Sequence, residues 1–395
     1  MRVLFTLAAA EAHLYPLVPL GWAFRAAGHS VLMATSADFV PAVTATGLPA
    51  AAVADEVDLV GWLRPPGPPP GSPSGPPPGS PSGPPPGSPS GADRAGPPSP
   101  GEMAARTGRR FGELAVRALA GTRALVERWR PDLVIAEPAE FAGPSAAAAA
   151  GRPWVRHQWG LPLRPELAAN AVEALAAGGG GWAEPARTLD VCPGSVQYPG
   201  VDGGLRMRYV PFNGTAVVEP WLLEPPARPR VLLTLGTILP RDERAEPLWR
   251  RLLEQLSGLG AQVCIAVPDR HRASLGPLPD GVRAGRLPLA QALAGCSMIV
   301  HHGGSGTAMT AMAAGVPQVI LPHFADQFGN AERFSAVGAA RSLPPHEASD
   351  AELREACEAV LTDPAHRRAA KSVAAENAAA PDPHEIAGRF PSNLQ

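Results

Sequence analysis

The chain has 395 residues, enough for two domains, and its net charge of −2 at pH 7 implies no nucleic-acid or other polyanion partner. No apolar run approaches the length of a membrane span, so no membrane partner is expected either. The four cysteines (Cys192, Cys264, Cys296, Cys357) form no C-x-x-C pair, which fits buried, reduced thiols in a cytoplasmic protein better than disulfides or zinc.

Residues 3–7 (VLFTL) read as a first strand. One Arg precedes them and Glu11-Ala12-His13 interrupts any cleavage pattern, which argues against a secretion signal. Pro16 and Pro19 suit the first turn of a helix running to Ala27, capped by Gly28, and residues 30–34 form a second strand. This β-loop-α-β start puts His13, with Glu11 beside it, in the loop at the carboxyl end of the first strand. Residues 65–100 stand apart. Three copies of GPPPGSPS fill residues 67–90, and a proline-dense segment without large apolar side chains is expected to be a mobile, solvated insert.

Order returns with a helix through about residues 111–129. A buried strand at 131–136 then delivers Glu137, with Glu140 close behind, to the same carboxyl edge as His13. Residues 153–159 (PWVRHQW) read as a strand leading into aromatic loop residues. His157 and Trp159 are candidates to line a ligand pocket, because flat ligands stack on aromatics, while Trp154 is assigned to the core.

The halves separate at residues 220–229, where EPPARP interrupts the pattern. Residues 231–235 restart it and end at Gly236-Thr237; a strand at 262–267 and the segment Arg286-Leu287-Pro288-Leu289 follow. Residues 298–300 are a short buried strand ending at His301. Gly303-Gly304-Ser305-Gly306 then turns the backbone into a helix at 307–314, stopped by Gly315 and Pro317. A strand, a glycine turn and a helix N-terminus make an anion site, since free N–H groups and the positive dipole end converge there. No Lys completes a P-loop, and the G-x-G-x-x-G spacing is absent. Asp326-Gln327 follow the next strand, at 318–321, placing a carboxylate and an amide at the same crevice. A diphosphate carrying a hydroxylated group fits such a site. Ser349-Asp350-Ala351-Glu352 is a capping box opening a further helix.

HHGGSGT at 301–307, AAGVPQVILP at 313–322 and DQFGN at 326–330 together resemble the donor-binding signature of nucleotide-sugar-dependent glycosyltransferases of the GT-B fold, in particular bacterial enzymes that decorate antibiotic natural products. The resemblance covers nearly the whole chain. It implies an α/β fold of two Rossmann-like domains whose parallel sheets face across a central cleft. The acceptor-binding domain would span 1–219, the linker 220–229, the nucleotide-sugar domain 230–375, and a tail at 376–395 would return to the first domain. By the same match His301, Gly303, Gly304, Ser305, Gly306 and Thr307 hold the diphosphate, Asp326 and Gln327 bind the sugar, Thr237 approaches the phosphates, and Arg286 and Leu287 lie against the nucleobase. His13 is then the general base, and an acidic partner is expected at Glu137, with Glu140 as the alternative. Glu11 faces either the acceptor or solvent, in an Ala8-Ala9-Ala10-Glu11-Ala12 loop bulkier than the glycine-containing loop common in the family.

No Asp-x-Asp occurs, so no metal and no cofactor are expected. The reaction implied is a single in-line displacement inverting the anomeric carbon. In plant relatives of the motif a Glu eight residues after the first His binds ribose hydroxyls; here Met309 stands in its place, which favours a 2′-deoxyribose and hence a dTDP-sugar. The resemblance implies a donor carrying a deoxysugar, amino sugars included, and as acceptor a polyketide aglycone, an aromatic polycycle first and a macrolide second. A UDP-glucose-dependent enzyme inactivating a macrolide or other drug is the alternative, followed by a non-catalytic auxiliary of another glycosyltransferase. A homodimer is compatible with the sequence.

Overall fold

Two sets of short segments, the central ones apolar and buried on both faces, build two parallel sheets, because central strands covered by helices on both sides must be apolar throughout. The computed structural model describes residues 1–57, 59, 61, 99–237, 239, 245–345 and 347–393; the repeat at 67–90 lies outside them. The first sheet comprises β1 (Arg2–Thr6), β2 (Ser30–Ser36), β3 (Ala50–Ala54), β4 (Leu133–Ala136), β5 (Trp154–His157), β6 (Arg187–Asp190) and β7 (Leu205–Arg206), in the order β3-β2-β1-β4-β5-β6-β7. The second comprises β8 (Arg230–Thr234), β9 (Gln262–Ala266), β10 (Arg283–Gly285), β11 (Met298–His301), β12 (Gln318–Ile320) and β13 (Ala340–Ser342), in the order β10-β9-β8-β11-β12-β13. Strand order reverses between β1 and β4 and between β8 and β11, whose registers pair Thr6 with Ala136 and His301 with Thr234. Crevices open outside the carboxyl ends of such reversals, and the loops carrying His13, Glu137, Gly236 and the glycine turn all leave from there.

The expected single helix after β1 is three pieces: α1 (Glu11–Leu14), a 3₁₀ turn (Tyr15–Leu17) and α2 (Val18–Ala26). Pro16 and Pro19 each lie at the start of a segment, because proline lacks the N–H that a continuous helix would need. After α3 (Val40–Thr44), the helix expected from about 111 begins eleven residues earlier: α4 spans Pro100–Trp129. Ser99 caps it, its hydroxyl accepting from Glu102 N–H while Glu102 accepts from Ser99 N–H, with Pro100 at the first position. Residues 99–100 therefore belong to the helix and not to the insert. α4 packs on α6 (Pro165–Ala177) through Phe111, Ala115, Leu119, Leu167, Ala171 and Leu175, while α5 (Ala142–Ala149) follows β4.

The segment at 220–229 contains a short helix, α7 (Pro220–Leu223), before β8. The second half adds α8 (Ala245–Ser257), α9 (Leu289–Ala294), α10 (Ser305–Ala313), α11 (Asp326–Ala336), α12 (Asp350–Thr362, opened by the Ser349/Glu352 capping box), α13 (Pro364–Ala379) and α14 (Pro383–Asn393). α14 packs on α2, with Ile386 and Phe390 fully buried and the Phe390 and Phe24 rings 5.7 Å apart. Burial of two such side chains is worth roughly 1.5–3 kcal/mol each, enough to hold the chain end against the first sheet's helices. All four cysteines are free and buried. Among the described residues no helix is long and apolar enough to cross a membrane.

Candidate active site

β1 ends at Thr6, and α1 brings His13 back over its carboxyl edge; β4, hydrogen-bonded to β1, brings Glu137 to the same edge. The side chains meet directly, His13 Nδ1 lying 2.8 Å from Glu137 Oε1. A carboxylate only accepts, so Nδ1 carries the proton and the Nε2 lone pair is left free. Glu137 is buried and fixed by two backbone donors, Ala8 N–H at 3.2 Å and Ala139 N–H at 2.6 Å. Its additional methylene over Asp therefore does not prevent the pair. Glu140 turns away: it accepts from Thr6 Oγ1 at 2.5 Å and from the Ala142 and Gly143 N–H groups at the start of α5. Burial pushes its carboxyl up to about 7.

The His13 ring sits between Trp159, 4.5 Å away edge-on, and Phe111, 5.9 Å away. His157, expected to line the acceptor pocket, does not: its ring is fully buried, and desolvation lowers its pKa to about 4. In a strand with both faces covered, residue 157 points into the interior. Burial raises the Tyr15 pKa and the neighbouring Glu11 adds to the rise, while the Arg286 guanidinium opposes it. Arg286 is exposed and Leu287 half-buried, packed beside the core of the second sheet.

The donor turn differs from the expectation in one respect. His301 is fully buried and both ring nitrogens are engaged internally: Nδ1 accepts from Gly303 N–H at 3.0 Å and Nε2 lies 2.8 Å from Gln318 Oε1. Burial drops its pKa to about 4, so the ring is neutral and locks the turn instead of facing a phosphate. Gly303 has φ 91°, and a Cβ there would stand 2.8 Å from Ile320 Cγ2. The neighbouring His302 ring fills the space between the two glycine turns, 2.5 Å from where a Cβ would stand on Gly236 or Gly304. Thr237 completes the turn after β8, half-buried.

Helix α10 starts at Ser305, two residues before the expected position, so its first-turn N–H groups begin within the glycine turn itself. Asp326 Oδ2 accepts from Ser305 N–H at 3.1 Å and from Ser305 Oγ at 2.6 Å. Gln327 is buried and its Oε1 accepts from the His323 and Phe324 N–H groups, at 2.8 and 3.3 Å. Met309, set against a ribose by the sequence pattern, is fully buried and packs beside Gly160 of the first half, so it presents no surface to a nucleotide. Gly306 and Thr307 are half-buried at the first turn.

The two edges face one another. Gly160, next to the Trp159 that flanks His13, abuts Ser305 and Met309; burial raises the Asp326 pKa, and the hydrogen bonds it accepts from Ser305 oppose the rise. Three positioning residues escaped the sequence reading. Asn330 Nδ2 donates to Gly303 O at 2.8 Å and Ser305 Oγ at 3.0 Å. Asn213 donates to Thr310 Oγ1 at 3.0 Å, and the Tyr209 hydroxyl reaches Gly306 O at 3.4 Å, so the segment after β7 straps α10. Only Asn330 left a sequence signal, one helical turn after Asp326 on the same face. Among the described residues no group of three or more His, Cys, Asp or Glu side chains is arranged to hold a metal.

Models of the N- and C-terminal domains of the erythromycin biosynthesis protein CIII-like family match residues 22–73 and 106–236, and residues 250–392. The chain belongs to this family. A relative, the L-demethylnoviosyl transferase of Streptomyces niveus, is 50% identical over 395 residues, covering 98% of this chain and 97% of that one. The glycosyltransferase SsfS6 of Streptomyces sp. SF2575, solved with thymidine diphosphate, superposes with a TM-score of 0.80 at 32% identity, covering 99% of each chain. The spinosyn rhamnosyltransferase SpnG, solved with spinosyn aglycone, gives 0.81 at 28% identity over 99% of this chain and 100% of that one. This CIII-like chain is accordingly an enzyme, a GT-B glycosyltransferase of the deoxysugar-transferring class that serves antibiotic biosynthesis.

Proposed function

We propose that the enzyme transfers a deoxysugar from a thymidine diphosphate sugar to a hydroxyl of an aromatic aglycone, with inversion at the anomeric carbon. The observation that carries this reading is the His13–Glu137 pair, with Trp159 against the His13 ring and the adjoining Gly160 against Ser305 at the N-terminus of α10. The acceptor O–H gives its proton to His13 Nε2 as its oxygen bonds to the anomeric carbon, and the bond from that carbon to the diphosphate oxygen breaks. Glu137 stabilises the imidazolium formed. The departing diphosphate keeps the electron pair, and the α10 dipole, the Ser305, Gly306 and Thr307 groups and the turn at Thr237 offset its charge.

Trp159 and Phe111 beside His13 favour a flat acceptor. Thymidine as the donor nucleoside is supported by the ligand of SsfS6, not by Met309. The L-demethylnoviosyl transferase supports a sugar of that kind. The test is calorimetric titration with thymidine and uridine diphosphates, together with turnover assays of His13→Ala. Preference for the thymidine nucleotide, retained in a variant that no longer transfers sugar, is the expected result. Uridine preference would replace the donor, and unchanged turnover would remove His13 as base.

A further inference from the structure

At the start of α10 the Ser305 N–H and hydroxyl are held by the protein itself. Asp326 Oδ2 holds Ser305 N–H and Ser305 Oγ, and Asn330 Nδ2 donates to the same Ser305 oxygen, so the hydroxyl proton is committed to the carboxylate. Asp326 arrives there by an uncommon route. Ala325 before it has φ 53° and ψ −129°, a backbone conformation that costs a non-glycine residue energy and persists only where surrounding contacts over-determine it.

A carboxylate oxygen and a diphosphate oxygen want the same partners, an N–H at a helix N-terminus and an adjacent hydroxyl, and two anions cannot share them. We propose that Asp326 is the internal occupant of the diphosphate subsite, and that its displacement makes the enzyme favour the intact nucleotide sugar over the free nucleoside diphosphate. This rests on the donor site described under the proposed function. A sugar nucleotide that pushes the carboxylate off Ser305 brings sugar hydroxyls that hydrogen-bond it in its new position. Free diphosphate brings none, and leaves a displaced carboxylate unpaired beside its own charge. Product is thereby bound more weakly than donor and leaves more readily.

Thymidine diphosphate binding to wild type and to the near-isosteric Asp326→Asn variant, measured by calorimetry, tests this, with a crystal structure of the wild-type complex as the second readout. The variant is expected to bind the nucleotide roughly ten-fold tighter, and to show correspondingly stronger product inhibition. In the wild-type complex a phosphate oxygen should stand on Ser305 N–H in place of Asp326. Equal or weaker binding by the variant overturns the inference, as does a complex in which Asp326 still holds Ser305. If neither protein binds thymidine diphosphate, the donor-site reading falls and this inference with it.

Discussion

His13 Nδ1 and Glu137 Oε1, 124 residues apart in the chain, are held 2.8 Å from one another by parallel pairing of the strands that precede them. The pair fixes one tautomer and aims Nε2 into the cleft. His13→Ala is expected to lower kcat by roughly 10²–10⁴-fold with thymidine diphosphate binding unchanged, since the imidazole acts on the acceptor and not the donor. Glu137→Gln keeps the shape but removes the charge that stabilises the imidazolium, so it should lose about 10²-fold or more in kcat. Steady-state kinetics with calorimetry checks both.

Glu140 carries a stability term of unusual sign. Its folded pKa is raised to about 7, above the ordinary carboxyl value, so between about 4.5 and 7 the folded state binds more protons than the unfolded state. The contribution is present at low pH and is lost as pH rises through 7. Urea midpoints at pH 5 and pH 7.5 should fall by a larger amount in wild type than in Glu140→Gln.

Three histidines act in the opposite direction. Burial lowers His157 and His301 to about 4 and His302 to about 3, all below the ordinary value near 6.5. The unfolded state binds their protons first as pH falls, so stability should drop steeply between pH 6.5 and 4. His301→Ala, which orphans Gly303 N–H and Gln318, should cost roughly 2–4 kcal/mol at neutral pH and flatten this acid limb.

Gly303 and Gly236, one in each glycine turn, tolerate no side chain. Gly303→Ala meets both a positive φ and Ile320, and Gly236→Ala, at φ 71°, drives a methyl into the His302 ring. Each should cost roughly 1–3 kcal/mol and weaken thymidine diphosphate binding, read from thermal melts with and without the nucleotide. Gly306→Ala, where a Cβ meets nothing within 4 Å, is the contrast and should melt like wild type.

Much of this was legible in the sequence because it is local. The apolar runs before His13, Glu137, Gly236 and His301 announce parallel strands, and glycines after a strand announce an anion turn. The strands that were missed, β3, β6, β7, β10 and β13, are short and rich in alanine, polar or charged residues, so they carry no apolar run to read. α4 was begun late although Ser99-Pro100-Gly101-Glu102 spells its capping box, because the proline repeats before it masked the signal.

The sequence by itself therefore determined the main strands, the place of the glycine turn and the histidine, and the likeness to glycosyltransferases that implied two facing sheets, since apolar runs and motifs are local. Tertiary structure alone decided that Glu137 and not Glu140 meets His13, that His301 looks inward, that His157 and Met309 are sealed, and that Asp326 occupies α10. Those outcomes depend on side-chain direction where strands and helices distant in sequence come within 3 Å, and no local pattern encodes an angle between them.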